Sequence, residues 1–112
     1  MNYSTYQLEM QLSGYQLLVQ RLDAGGPYFN RSWVEFKAGF GSLTGYYWMG
    51  NDRLHQLTAN GTCSARFDLQ AMYSWQWYQI LYSYIVVDNE TENYRLHISG
   101  IDQKIELIAL SV

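Results

Sequence analysis

Between Trp33 and Asn51, six large aromatic side chains share nineteen residues with four glycines. The rings of Trp33, Phe36, Phe40, Tyr46, Tyr47 and Trp48 need apolar cover. Gly39, Gly41, Gly45 and Gly50 weaken any long helix. The segment can therefore fold only as short elements held by packing rather than by propensity. Ser32 and Glu35 stand at capping-box spacing. Trp33, Phe36, Lys37 and Phe40 then fall on one helical face, and Gly39 and Gly41 end the helix. Gly45-Tyr46-Tyr47-Trp48-Met49-Gly50-Asn51 follows as an aromatic knot bounded by glycines. Asn51 is read as the N-cap of a second short helix through Leu57, with Leu54 and Leu57 on its buried side.

The flanking runs read as strands. Tyr15 to Arg21 (YQLLVQR) centres on Leu18 and Val19 and is closed by the turn cluster Asp23-Ala24-Gly25-Gly26-Pro27. Asn60-Gly61 marks a turn. Ser64 to Gln70 alternates, with Ala65, Phe67 and Leu69 on one side and Arg66 and Asp68 on the other. The aromatic-rich run Trp75 to Val87 and the alternating run Asn93 to Ser99 flank a short polar turn, Asp88 to Glu92. Together they predict an antiparallel hairpin in which Tyr94, Leu96 and Ile98 face inward and Arg95 and His97 outward. Residues 1–13, polar with scattered Tyr, are expected to be loosely held.

A length of 112 residues sets a single domain. The seven Lys and Arg are scattered singly from Arg21 to Lys104 and the net charge is −3, which argues against nucleic acid and against an anionic membrane surface. No apolar run reaches the length of a membrane span. The N-terminus lacks a basic start and a long apolar run, so it does not read as a signal peptide.

Catalytic chemistry finds no constellation. Nothing ties His55 or His97 to Cys63 or to a serine elbow, so both histidines are read as surface or satisfied side chains. Cys63, the lone cysteine, is read as a small buried side chain rather than a reactive thiol, with an intermolecular bridge the alternative in a secreted chain. Asp88, Glu90 and Glu92 alternate through the hairpin turn, but the pattern of a full calcium loop is missing. The glycines at 39, 41 and 45 follow a helix rather than a strand and lack a downstream Lys, so they do not form a phosphate-cradling loop. No catalytic, cofactor or metal residue is assigned.

Four of the six Asn residues head an Asn-x-Ser/Thr sequon: Asn2, Asn30, Asn60 and Asn89. Chance places Ser or Thr two residues after an Asn roughly one time in eight. The count points to the secretory pathway, although Asn, Ser and Thr also crowd turns.

Trp33-x-x-Phe36-x-x-Gly39-Phe40-Gly41, then Gly45-Tyr46-Tyr47-Trp48-Met49-Gly50-Asn51, then Leu54-His55-Gln56-Leu57-Thr58 resemble the fibrinogen C-terminal domain family. The family reads W-x-x-Y-x-x-G-F-G, G-E-[YF]-W-L-G-N and I-x-x-L-T. Ala65-Arg66-Phe67-Asp68-Leu69 is similar to its L-R-V-D-L, and Tyr94-Arg95-Leu96-His97-Ile98 to its Y-x-L-x-[VI]. Tyr46 stands where the family has Glu, and Met49 where it has Leu. Cys63 has no counterpart in the family's first cysteine pair.

The resemblance spans roughly residues 15–100. It implies an α+β fold: a twisted antiparallel sheet with two short helices, part of a fibrinogen C-terminal-like domain. Residues 1–14 would be a loosely ordered segment and 101–112 a divergent tail in which 105–110 substitute for a missing strand. The resemblance implies that the family's calcium loop and acetylated-sugar pocket lie in a half not represented here, so no cofactor or ligand residue is carried over. It also implies a non-enzymatic, secreted recognition module, with extracellular glycans or proteins as partners in innate defence, matrix, adhesion or signalling. The alternative is a structural or truncated piece with no ligand site of its own.

Overall fold

The computed structural model describes residues 3–12, 15–22, 30–43, 45–71 and 76–107. Seven strands form one antiparallel sheet: β1 (Tyr3–Leu12), β2 (Tyr15–Leu22), β3 (Phe40–Gly41), β4 (Tyr47–Trp48), β5 (Ser64–Ala71), β6 (Trp77–Val87) and β7 (Leu96–Leu107). Their order across the sheet is β3-β4-β2-β1-β5-β6-β7. Among the described residues there are two helices, α1 (Trp33–Ala38) and α2 (Asn51–Thr58), and one 3₁₀ turn (Glu90–Glu92). The expected hairpin of Trp75–Val87 with the segment after residue 93 is the β6–β7 pair. The turn cluster at 23–27, the residues Tyr73 to Trp75 and the end of the tail at 108–112 lie outside the described residues.

Residues 3–12, expected to be a loosely held segment, are a strand. They form β1 in the middle of the sheet, pairing with β2 and β5. The physical reason is the alternation Gln7-Leu8-Glu9-Met10-Gln11-Leu12, which outweighs the polar composition. Leu8 and Met10 are buried, and Met10 is fully so. Residues 101–107 extend β7 along β6, with Ile101 opposite Tyr82 and Leu107 opposite Trp77, so residues 105–107 of the expected substitute strand lie in the sheet. Residues 3–12 and 101–107 therefore share one sheet with the strands of the segment read as 15–100.

Each helix follows from local chemistry. Ser32 caps α1: its hydroxyl accepts the Glu35 amide at 3.2 Å, and the Glu35 carboxylate accepts the Ser32 amide at 3.2 Å. Arg31 braces this start, with Nη1 2.8 Å from Glu35 and its guanidinium 4.7 Å above the Phe40 ring. The cap of α2 is Gly50, not Asn51, and Asn51 is the first helical residue. The cause is backbone proximity. Gly50 has φ +110°, and a Cβ there would sit 2.8 Å from the Ala38 carbonyl oxygen; one on Gly39 (φ +94°) would sit 2.5 Å from that of Met49. The ends of the two helices thus touch backbone to backbone, which only glycine allows.

The core lies between the helices and the sheet: Leu8, Met10, Val19, Met49, Leu54, Cys63, Ala65, Ile85, Val87 and Tyr94. Cys63 is buried, as expected. Leu96 is not part of that core; it is 52% exposed. Tyr94 is buried and Ile98 packs against the core, as expected; Asn93 (φ 57°) and Tyr94 (φ 50°) adopt left-handed backbone and the strand starts at Leu96.

Candidate recognition site at the helix and hairpin junction

The 3₁₀ turn brings the hairpin loop against both helices. Asn89 caps it, its side chain accepting the Glu92 amide. The Asn93 amide then donates to Glu90 and the Tyr94 amide to Asn89. Left-handed backbone is common for Asn and rare for Tyr. Tyr94 accepts it because its ring is buried and its hydroxyl donates to Asp52 of α2.

Lys37 of α1 sits at the centre of this junction. Its Nζ lies 3.0 Å from Asp52 and 3.0 Å from Glu90, and donates to the Tyr94 hydroxyl at 3.3 Å. Trp33 Nε1 donates to the other oxygen of Glu90 at 2.9 Å. The Trp33 and Tyr94 rings pack with centroids 5.6 Å apart. The hydrogen bond from Trp33, then Lys37, holds the Glu90 carboxyl below its ordinary range. The Tyr94 hydroxyl and then Lys37 do the same for Asp52. The bonds to Glu90, Asp52 and Tyr94 push Lys37 upward, and burial raises Tyr94. These charges are partly solvated, so the cluster orients α1, α2 and the hairpin more than it stabilises them.

Beneath the cluster is an apolar cavity of about 230 Å³, lined among others by Val19, Trp48, Leu54, Phe67, Ile85 and Tyr94. Trp33 and Leu96, each about half exposed, stand at its rim. The aromatic knot divides accordingly. Phe36, Phe40 and Trp48 pack edge to face, and Trp48 Nε1 donates to the Phe36 carbonyl at 2.9 Å. Trp33 instead stays half exposed, with its ring against Tyr94. Tyr46, at the position of the family's Glu, accepts Arg31 at 2.9 Å.

The groups with catalytic potential are engaged structurally. His55 Nδ1 donates to the Val87 carbonyl at 2.8 Å, and His97 Nε2 lies 2.8 Å from Asp88. Cys63 donates to the Leu57 carbonyl at 3.1 Å, and burial raises its thiol pKa. Asp88 and Glu90 do not converge with Glu92: the first takes His97, the second Lys37 and Trp33. Among the described residues no three His, Cys, Asp or Glu side chains group as metal ligands. The sequon residues Asn30, Asn60 and Asn89 are exposed, and Asn2 lies outside the described residues. The Lys37 cluster escapes sequence reasoning. Its only trace is a lone Lys on the aromatic face of α1.

The family model of the C-terminal globular domain of fibrinogen beta and gamma chains matches residues 2–106. The chain belongs to the fibrinogen C-terminal domain family. Human fibroleukin is 40% identical over 93 residues, a stretch covering 83% of this chain and 21% of fibroleukin. Ryncolin-4 of Cerberus rynchops is 37% identical, covering 78% of this chain and 26% of the relative. Bovine (Bos taurus) angiopoietin-4 is 38% identical, covering 74% and 16%. Among solved structures, the fibrinogen-like globe domain of human ANGPTL6 superposes with a TM-score of 0.64 at 28% identity, covering 86% of this chain and 42% of that globe. The globe of human ANGPTL2 gives 0.63 at 22% identity, covering 94% and 53%, a likeness of fold. The fibrinogen-related chain thus spans about half of the solved globes and about a quarter or less of these three curated relatives.

Proposed function

We propose that the chain serves a non-enzymatic, extracellular recognition module whose partner is a protein. Membership of the fibrinogen C-terminal family carries this reading, since the match takes in nearly the whole chain. Two features support it. His55, His97 and Cys63 are each held by a structural partner rather than by one another. A half-exposed Trp33 beside an apolar cavity is the kind of aromatic anchor that protein interfaces use. Among the described residues no helix is long and apolar enough to cross a membrane.

A second reading, a structural piece of a larger globe without a ligand site of its own, is favoured by the coverage of 42% and 53% of the two solved globes. On that reading the cavity receives further parts of the globe. Binding of fluorescently labelled chain to intact animal cells separates the two. Saturable binding that is lost when the cells are treated with protease supports protein recognition. Loss on glycosidase treatment instead would make the partner a glycan, and absence of saturable binding would favour the structural reading.

A further inference from the structure

The sequons at Asn60 and Asn89 fold into the same local arrangement. Asn60 Oδ1 accepts the Thr62 hydroxyl at 2.9 Å and the Thr62 amide at 3.3 Å. Asn89 Oδ1 accepts the Thr91 hydroxyl at 2.6 Å and the Glu92 amide at 3.3 Å. In both, the oxygen of the side-chain amide does all the work of the turn. The nitrogen, Nδ2, has no hydrogen-bond partner among the described residues, and both asparagines are exposed. A side chain that uses only its oxygen can carry a substituent on nitrogen without losing its fold contacts. Asn30 differs. Arg31, the middle residue of its sequon, is pinned to Glu35 and Tyr46, and the Ser32 hydroxyl is bound on both sides by Glu35.

We propose that Asn60 and Asn89 are N-glycosylated and that the folded chain presents both glycans at its surface. The donor is an oligosaccharide on a lipid pyrophosphate. Nδ2 attacks the anomeric carbon, the C1–N bond forms and the C1–O bond to pyrophosphate breaks. The lipid pyrophosphate leaves with the electron pair, and one Nδ2 proton passes to a base. The second Nδ2 hydrogen stays, and Oδ1 keeps its bonds to Thr and to the backbone. The Asn60 glycan marks the loop between α2 and β5. The Asn89 glycan stands next to Glu90 and so flanks the Trp33 junction without occupying the cavity. The proposal rests on the extracellular reading, but its test does not depend on it, because the chain is routed experimentally.

The test is expression of the full chain behind an appended, cleavable leader in cultured animal cells, followed by intact mass and site mapping after amidase release, which converts each occupied Asn to Asp. Occupancy at both Asn60 and Asn89 is expected. T62A and T91A should each remove one glycan, while T62S and T91S should retain them. This separates loss of the sequon from loss of the fold. An unshifted mass for secreted, folded chain, or occupancy at Asn30 with both other sites bare, overturns the proposal.

Discussion

Thr58 Oγ1 accepts the Val87 amide at 2.9 Å, stitching the last turn of α2 to the end of β6. The same hydroxyl donates to the Leu54 carbonyl at 2.7 Å, and Thr58 is fully buried. The hydroxyl is thus satisfied in both directions inside the core. Thr58→Val keeps the shape and leaves the Val87 amide without a partner. An unmade buried hydrogen bond costs about 1–3 kcal/mol. Urea unfolding should show that loss for Thr58→Val and little for Thr58→Ser.

Gly39 pairs φ +94° with ψ 159°, a region that is essentially glycine-only and costs other residues about 1–3 kcal/mol before any clash. A Cβ at this position would also lie 2.5 Å from the Met49 carbonyl oxygen, well inside contact distance. Gly39→Ala should therefore abolish or severely weaken folding. Gly45→Ala, where a Cβ meets nothing within 4 Å, should leave the thermal midpoint nearly unchanged.

Asp52 and Glu90 titrate below their ordinary values, so the folded chain binds fewer protons than the unfolded one. Their contribution is present above about pH 4 and fades as pH falls through the folded values. Lys37 and Tyr94 titrate above theirs. Their share is present below about pH 10 and fades as pH rises through the folded values. The melting temperature should plateau between these limits. The double variant Asp52→Asn, Glu90→Gln should lower the plateau slightly and flatten its acid limb, as followed by circular dichroism. An acid limb identical to the parent's would contradict this linkage.

Cys63 is 1% exposed and donates to Leu57. Burial raises its pKa, so little thiolate is present at neutral pH. A chromogenic disulfide reagent should modify the native chain roughly 100-fold more slowly than the urea-unfolded chain, which corresponds to a local opening of about 3 kcal/mol.

Deleting residues 101–112 would strip the partner from β6 between Trp77 and Tyr82. An unpaired strand of that length invites edge association. The melting temperature should fall by at least about 5 °C, and light scattering should show concentration-dependent association. An unchanged melting point would mean that this part of β7 adds nothing to the sheet.

Local rules determined much of this chain. The Ser32–Glu35 spacing specified the start of α1. The alternation at 64–70 specified β5, and the polar turn at 88–92 specified the β6–β7 hairpin. Such features depend on contacts within a few residues, and their period or spacing is written in the sequence. Tertiary structure decided the rest. The alternation at 7–12 is written in the sequence, but the central place of β1 was decided by the pairing of β2 and β5 on its two edges. Gly50 displaced Asn51 as a cap because the end of α1 presses on it. Leu96, read as inward, stays half exposed at the start of β7, while Tyr94 and Ile98 on either side of it pack inward as their alternation predicts. The Lys37, Asp52, Glu90 and Tyr94 cluster joins residues up to 57 positions apart. No spacing encodes such a meeting, because it exists only once both helices and the hairpin have docked on the same sheet.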